Sequence, residues 1–253
     1  MAVSANLIMT EVRDGIEAVI CRPRSPKHET PILFLHGMWH AAWCWRDWQL
    51  HMGEKGWESH AISLPGHGGS PARKSVRFST MQDYLSVLRK EIGRFRKPPV
   101  VIGHSMGGAL VQWYLKKVAD DFPAVVLVAS WTARSTVTDG AMLHLRRDPY
   151  GFLKMLLTLS STPLVRSPTW AASLLSTDGA AMGPRDLFAN LCEESALVCW
   201  STTPRSGFPR QKLPPRCYGS PGIGTRPSAT KAPRLLRPPT ARTLSLCKGR
   251  ATI

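Results

Sequence analysis

The chain has 253 residues, of which 43% are hydrophobic, and it contains 9 Trp. This length and apolar content exclude a disordered or fibrous protein and favour one α/β domain around a single core. The formal net charge of +16 would indicate a nucleic-acid or anionic-membrane partner only if it were spread over the folded surface.

Short apolar segments alternate with helical patterns along the first 130 residues. The candidate strands are AVI at 18–20, PILFL at 31–35, HAISL at 60–64, VVIG at 100–103 and AVVLVA at 124–129. Such alternation is typical of βαβ units and a mainly parallel sheet. A helix is predicted over 81–95, because Thr80 and Asp83 resemble a capping box before it. Pro98-Pro99 ends this helix.

A glycine-rich motif, Gly103-His104-Ser105-Met106-Gly107-Gly108, follows the strand PVVI and opens a helix predicted over about residues 106–118. This is the context of a nucleophile elbow, in which a serine lies at a sharp turn from strand to helix. Small residues two before and two after the serine avoid clashes with neighbouring backbone. The alternative interpretation is a glycine-rich turn that only packs.

A second motif, Leu35-His36-Gly37-Met38-Trp39, ends the strand PILFL. A tetrahedral acyl intermediate needs two backbone N–H donors that are in place before the reaction. We predict that the amides of Met38 and Met106 form this oxyanion hole. We interpret His36 as a residue that shapes the loop rather than as an acid or base.

In their order and spacing, HGMWHAAWCW, LPGHGGS and GHSMGG resemble the α/β-hydrolase superfamily over about residues 15–200. The tract from Gly37 to Trp45 is most similar to the branch of plant methylesterases, hydroxynitrile lyases and small bacterial esterases. The resemblance implies an α/β-hydrolase fold with a helical cap, Ser105 as the nucleophile, and the amides of Met38 and Met106 as oxyanion donors. His67 in the LPGHG loop is then structural.

The same resemblance implies ester or thioester hydrolysis through an acyl-enzyme, with a small apolar ester as substrate and with no cofactor, metal or nucleic acid. Trp39 and Trp131 would line the substrate pocket. Support for the elbow and its loop would come from His36, Gly37, Gly103, His104, Gly107 and Gly108. A cofactor-free lyase on the same site is a variant that stays open.

Three regions are predicted: an N-terminal core over 1–130, a helical cap over 131–200 and a basic tail over 201–253. The cap sequence is helical in pattern, with interruptions at prolines. Its larger apolar residues would form either an acyl pocket or the core of the cap; they are Trp131, Met142, Phe152, Leu156 and Trp170.

The tail has a composition unlike that of the rest of the chain. It holds 11 Lys or Arg, no Asp or Glu and 9 of the 21 Pro, which leaves the first 200 residues with a net charge of only +5. A segment of this kind buries too little apolar surface to fold by itself. We therefore predict that it lacks a packed core, adds no strand to the sheet, and that the late strands of the fold are missing.

The catalytic base is also missing from its usual place. The superfamily orders its triad as Ser, then Asp or Glu, then His near the C-terminus, whereas no His follows His144 here. One hypothesis is an out-of-frame or replaced C-terminus. A second is a natural basic tail that binds nucleic acid or anionic lipid. A third is that His40, His104 or His144 acts as the base.

Targeting and redox signals are absent from the sequence. No apolar run approaches the ~18 residues of a membrane span, and the start lacks a secretory signal, so we predict a soluble, cytoplasmic protein. The six cysteines form no CxxC pair, which predicts neither a zinc site nor a disulfide framework.

Overall fold

The computed structural model of the protein describes residues 7–131, 142, 144–177, 179–201 and 242–246. Its strands are β1 (Leu7–Arg13), β2 (Ile16–Arg22), β3 (Ile32–Leu35), β4 (Ser59–Ile62), β5 (Val100–His104), β6 (Ala124–Val128) and β7 (Arg242–Leu246). They form one sheet in the order β1-β2-β4-β3-β5-β6-β7. The pairs β1-β2 and β2-β4 are antiparallel and the other four pairs are parallel. The predicted mainly parallel sheet is confirmed.

The helices among the described residues are α1 (Arg46–Glu54), α2 (Met81–Ile92), α3 (Met106–Lys117), α4 (Pro149–Thr158), α5 (Pro168–Leu175), α6 (Pro184–Asn190) and α7 (Ala196–Ser201). Helices α2 and α3 lie where the sequence periodicity predicts them, whereas the sequence analysis missed α1. The capping box of α2 is confirmed: Asp83 N donates to Thr80 Oγ1, and Thr80 N donates to Asp83 Oδ2 at 2.8 Å. This helix ends three residues before the predicted Phe95.

Between β6 and residue 201 the chain is mainly helical where the structure describes it, as predicted. Its prolines begin helices rather than interrupt them, since Pro149, Pro168 and Pro184 stand in the first turns of α4, α5 and α6. A proline fits there because the first helical N–H groups have no partner within the helix. No helix among the described residues is long and apolar enough to cross a membrane. The region boundaries at 130 and 200 stay predictions.

The sheet has an apolar core on each face. Side chains alternate along β3, because successive residues of a strand point to opposite faces. Leu33 and Leu35 pack into the core shared with α2 and α3, whereas Ile32 and Phe34 pack with Trp45. Strand β3 is therefore buried on both faces, and its carboxyl end lies in the middle of the sheet.

The sequence analysis missed β1. This strand is an edge strand whose residues are mostly exposed or half-buried, so it lacks the apolar pattern that identifies a buried strand. Asp14 and Gly15 join it to β2, both with positive φ. An Asp-Gly pair is the preferred two-residue turn of a β-hairpin, and this was the signal available in the sequence.

The prediction that the tail adds no strand is wrong. Residues 242–246 form β7, which pairs in parallel with β6 from Ala124↔Arg242 to Val128↔Leu246. The average composition of 53 residues conceals a short segment, RTLSL, in which leucine alternates with a small polar residue. Such a segment suits a strand, and its backbone pairs with the edge of β6, which would otherwise be open. At least one late strand is therefore present, and the prediction that all of them are missing is corrected.

Candidate active site

Ser105 lies at the turn between β5 and α3 in a strained conformation. Its φ is +49° and its ψ is −114°, a region that a residue with a side chain rarely adopts. The backbone is held there on both sides, since Ser105 N donates to Val128 O at 3.0 Å and Ser105 O accepts from Ala109 N at 3.1 Å. This is the backbone geometry that the motif predicts for a nucleophile elbow.

The glycines around Ser105 allow its strand, its helix and β3 to approach one another. A Cβ on Gly103 would lie 2.8 Å from the backbone of Gly107. A Cβ on Gly107 would lie 2.5 Å from the carbonyl oxygens of Leu35 and His36. Atoms that are not bonded to each other do not approach so closely, so both positions require glycine.

The loop after β3 lies against the nucleophile. A Cβ on Gly37 would lie 3.1 Å from Ser105 Cβ and 2.8 Å from His104 Nδ1. Met38, whose amide is one predicted oxyanion donor, follows Gly37 directly. The other predicted donor, Met106, is the first residue of α3. The geometry brings the two motifs together, and the roles of the two amides stay predictions.

The cap holds the other end of this loop through Trp39. This residue has a φ of +62°, its indole Nε1 donates to Ser161 Oγ at 3.0 Å, and its carbonyl accepts from Cys192 N at 2.7 Å. The Ser161 hydroxyl in turn donates to Glu194 O at 3.0 Å. The sequence analysis missed Ser161, Cys192 and Glu194, since Ser161 and Cys192 are more than 100 positions from Trp39 and no local pattern marks any of the three.

Trp131 lies just beyond β6 and packs, partly buried, against the larger core. The Gln112 side chain of α3 donates to the carbonyl of Trp131 at 2.9 Å and to Ser130 Oγ at 3.0 Å. Of the other apolar cap residues, Phe152 packs against the same core, whereas Met142 and Leu156 are exposed.

His36 and His67 are buried and have structural contacts. His36 Nε2 accepts from Leu64 N at 3.0 Å, and its Nδ1 therefore donates to the carbonyl of Gly37 at 2.8 Å. Burial, with His67 nearby, holds the pKa of His36 well below its usual value. His67 Nδ1 lies 3.2 Å from Pro65 O. These contacts agree with the interpretation that both residues shape loops.

Glu194 is a fully buried carboxyl group that joins the cap to the core. Its Oε1 accepts from Tyr84 Oη at 2.9 Å and from Ser195 N at 2.7 Å, and its Oε2 lies 3.3 Å from His67 Nε2. Burial, with the Glu194 carboxyl nearby, raises the pKa of Tyr84. The Tyr84 hydroxyl therefore stays protonated and acts as a donor.

The three histidines considered as alternative bases have different positions. His40 Nδ1 lies 2.8 Å from Met38 O, so it donates to that carbonyl, and the His40 and His104 rings are 6.1 Å apart. Burial, with His40 nearby, lowers the pKa of His104 to about 4. His104 Nδ1 has no hydrogen-bond partner in the described part of the chain. His144 lies before α4, and burial lowers its pKa.

We expect the free energy of unfolding to fall as the pH decreases from about 6.5 toward 4. Imidazoles of the unfolded chain bind protons near pH 6.5, whereas the lowered pKa values of His36, His40 and His104 keep these rings neutral in the fold until a lower pH. Each ring contributes a slope of up to about 1.4 kcal/mol per pH unit. Urea denaturation at several pH values measures this slope.

In that experiment, the His104→Asn variant should show a shallower slope. Replacement of the exposed His51 by Asn serves as the control and should leave the slope unchanged. Equal slopes in the two variants would contradict the assignment of a neutral, buried imidazole to His104.

The described residues contain no group of three or more His, Cys, Asp or Glu that could hold a metal ion. No disulfide joins the four cysteines in that part of the chain, and burial raises the pKa of Cys199 to about 12.

A cavity of about 310 Å³ lies between the β1–β2 turn and α2. The residues that line it include neither Ser105 nor Met38.

A model of the alpha/beta hydrolase family matches residues 32–244, from the start of β3 into β7. Esterase PIR7B of Oryza sativa subsp. japonica is 29% identical over 109 residues, or 42% of this chain and 39% of that protein. Norfluorocurarine synthase 2 of a Strychnos species is 29% identical over 106 residues, or 41% and 40% of the two chains. The matched segment thus spans about two-fifths of the length of these relatives.

Solved structures resemble the chain over a larger part of its length. A soluble variant of monoglyceride lipase from Saccharomyces cerevisiae has a TM-score of 0.54 and 14% identity, and covers 81% of this chain and 69% of its own. A thioesterase domain from the curacin biosynthetic pathway has a TM-score of 0.50 and 16% identity, and covers 81% and 77%. At such identities the likeness shows the fold alone.

Proposed function

The chain belongs to the alpha/beta hydrolase family and has its fold, as the three motifs predicted, and we propose that it is a serine hydrolase acting on an ester or thioester through Ser105. The observation that carries this proposal is the backbone of Ser105, with a φ of +49° at the turn from β5 into α3. Strain of this kind persists where surrounding contacts enforce it, and it is concentrated at functional sites. The esterase names of several relatives agree with this reaction class.

In the proposed reaction, the Ser105 oxygen attacks the acyl carbon, and the carbonyl oxygen becomes an oxyanion. The amides of Met38 and Met106 stabilise this charge, and each such donor is worth about 3 kcal/mol in well-studied hydrolases. A base must take the Ser105 proton and pass it to the alcohol or thiol, which leaves as the carbonyl re-forms and the acyl-enzyme results. Water then attacks the acyl-enzyme, which yields the carboxylic acid and restores the Ser105 hydroxyl. Trp39 and Trp131 would contact an apolar acyl or alcohol group of the substrate. No cofactor takes part in this scheme.

A second candidate function is a non-catalytic binding protein that keeps the elbow. It is favoured by the absence of any His after His144 and of any acid after residue 200. A serine hydroxyl is a weak nucleophile at neutral pH without a positioned base. We therefore expect this chain to hydrolyse esters slowly, with the residual acceleration of roughly 10³–10⁴ over water known for triads that lack a member.

The test compares the chain with its Ser105→Ala variant. Turnover of an activated aryl ester and covalent labelling by a fluorophosphonate are measured for both proteins. We expect slow turnover and slow labelling that both disappear in the variant. Identical signals from the two proteins would contradict the proposal and support the binding protein.

A fast, Ser105-dependent turnover would contradict the expectation of slow hydrolysis and show that a base is present. Separate replacements of His40, His104 and His144 by Asn then identify that base.

Reading the nucleotide sequence beyond codon 200 in its other frames tests the hypothesis of a replaced C-terminus. A strand, an Asp and a loop with His in another frame would support this hypothesis. The cytoplasmic location stays a prediction.

A further inference from the structure

Helix α4 has an apolar outer face that is largely exposed among the residues that the structure describes. Its inner side is buried at Gly151 and Met155, and Phe152 packs against the larger core. Tyr150, Leu153 and Leu157 remain exposed by 64%, 56% and 76%. At 100° per residue, these three positions lie within about 60° of one another around the helix axis. We call this set the outer face of α4.

Isolated exposed leucines are ordinary, but a clustered apolar face marks an interaction surface. Leu156 is also exposed and extends the apolar area along the same helix, and Leu145 is exposed just before it. These side chains would stabilise the core only if they were buried, and in this structure they face outward. The outer face therefore contributes little to folding, and its exposed side chains are available to contact a partner.

Along the chain from residue 142 to the end of α5, the exposed charges in the described part have one sign. Arg146, Arg147 and Lys154 are exposed. From residue 142 to the end of α5 the single acidic residue in the sequence is Asp148, which is buried and paired with Arg166. The surroundings thus present uncompensated positive charge next to exposed leucines.

We propose that the outer face of α4 binds the surface of an anionic lipid bilayer, with its leucines among the acyl chains and the flanking Arg and Lys at the headgroups. This combination of apolar side chains and Lys or Arg on one helix is what interfacial binding requires. Each basic residue near an anionic leaflet adds electrostatic attraction to the headgroups. The long Lys154 side chain can reach the headgroups while its methylene groups contact lipid.

A second copy of the chain fits this face less well. In a symmetric dimer the same surface meets itself, so Arg146, Arg147 and Lys154 would approach their own equivalents without acidic partners. The outer face is also the convex side of one helix. An anionic bilayer satisfies both the charge and the shape.

The experiment measures binding of the full chain to vesicles by co-sedimentation. Vesicles of phosphatidylcholine alone are compared with vesicles of phosphatidylcholine mixed with phosphatidylglycerol. We expect binding to the mixed vesicles, weakened about tenfold in the double variant Leu153→Ser/Leu157→Ser. The matched control is Leu7→Ser/Val12→Ser, which removes two side chains of β1 that are exposed by 58% and 57%. This control should bind as the unchanged protein does.

Three outcomes would overturn the proposal. Unchanged binding of the α4 double variant would assign lipid binding to charge alone, including the 11 basic residues of the tail. Absence of binding to the mixed vesicles would show that the outer face of α4 does not bind an anionic bilayer. A dimer without lipid that the double variant abolishes would identify a second copy as the partner. The single variant Leu157→Asp, at the most exposed position, repeats the test if the double variant is poorly folded.

This measurement involves no turnover. Its result therefore stands apart from ester hydrolysis, and a failure of one proposal leaves the other untouched.

Discussion

Replacement of Gly107 by alanine should lower the free energy of unfolding by about 3 kcal/mol or prevent folding. The added Cβ would lie 2.5 Å from the carbonyl oxygens of Leu35 and His36. Those oxygens belong to the end of β3 and the loop after it, which cannot retreat without moving the strand that crosses the middle of the sheet. The gain of about 1 kcal/mol in helix propensity from glycine to alanine is too small to offset this clash.

The control for this prediction is Gly93→Ala at the end of α2. Gly93 has a φ of −63°, and its nearest contacts with an added Cβ are at 3.4 and 3.5 Å, so the change should be within about 0.5 kcal/mol. Urea denaturation of both variants measures the difference. If the two midpoints agree, α3 does not approach β3 as closely as described here, and the elbow geometry must be revised.

Replacement of Glu194 by alanine should lower the free energy of unfolding by about 3–5 kcal/mol. The carboxyl group is fully buried, and the substitution leaves the Tyr84 hydroxyl and the Ser195 amide without their acceptor. A buried donor without a partner costs about 1–3 kcal/mol. The carboxyl group also lies 3.3 Å from His67 Nε2, and the substitution removes this contact.

The adjacent Glu193 provides a matched control because it is exposed. Glu193→Ala should change stability by no more than about 0.5 kcal/mol. Tyr84→Phe should have an intermediate effect, since it removes one of the hydrogen bonds and keeps the ring. Thermal or urea unfolding of the three variants gives the order. An equal effect of the Glu193 and Glu194 replacements would show that the cap is not held to the core through this group.

The two large effects are connected through the loop after β3. Gly107 lies below that loop, against the carbonyl of His36. On the other side of the loop, the backbone carbonyl of Glu194 accepts from Ser161, and Ser161 accepts from Trp39. Glu194→Ala keeps this carbonyl but removes the carboxyl contacts with Tyr84 and Ser195 that hold residue 194 in place. The loop that brings Met38 toward Ser105 is therefore held between the sheet and the cap. Loss of either support should loosen the proposed oxyanion donors, which need fixed positions to act.

The amino-acid sequence by itself determined the central strands, the main helices and the position of Ser105. These features depend on local physics: the two-residue period of a strand, the 3.6-residue period of a helix, a capping pair three residues apart, and glycines where backbones meet. The strand end, the helix start and the glycines around Ser105 lie within six residues of one another, which is why the position of Ser105 could be predicted. The edge strand β1 lacked a buried face and was missed, although its Asp-Gly turn was visible.

Only the tertiary structure decided how distant segments complete the site. The hydrogen bonds from Tyr84 to Glu194 and from Trp39 to Ser161 join residues 110 and 122 positions apart, and no sequence period connects such positions. The pairing of β7 with β6 likewise depends on an open strand edge that composition cannot reveal. Which leucines of α4 face outward was also undecided, since the helix is apolar on two sides and only its packing against the core selects the buried one.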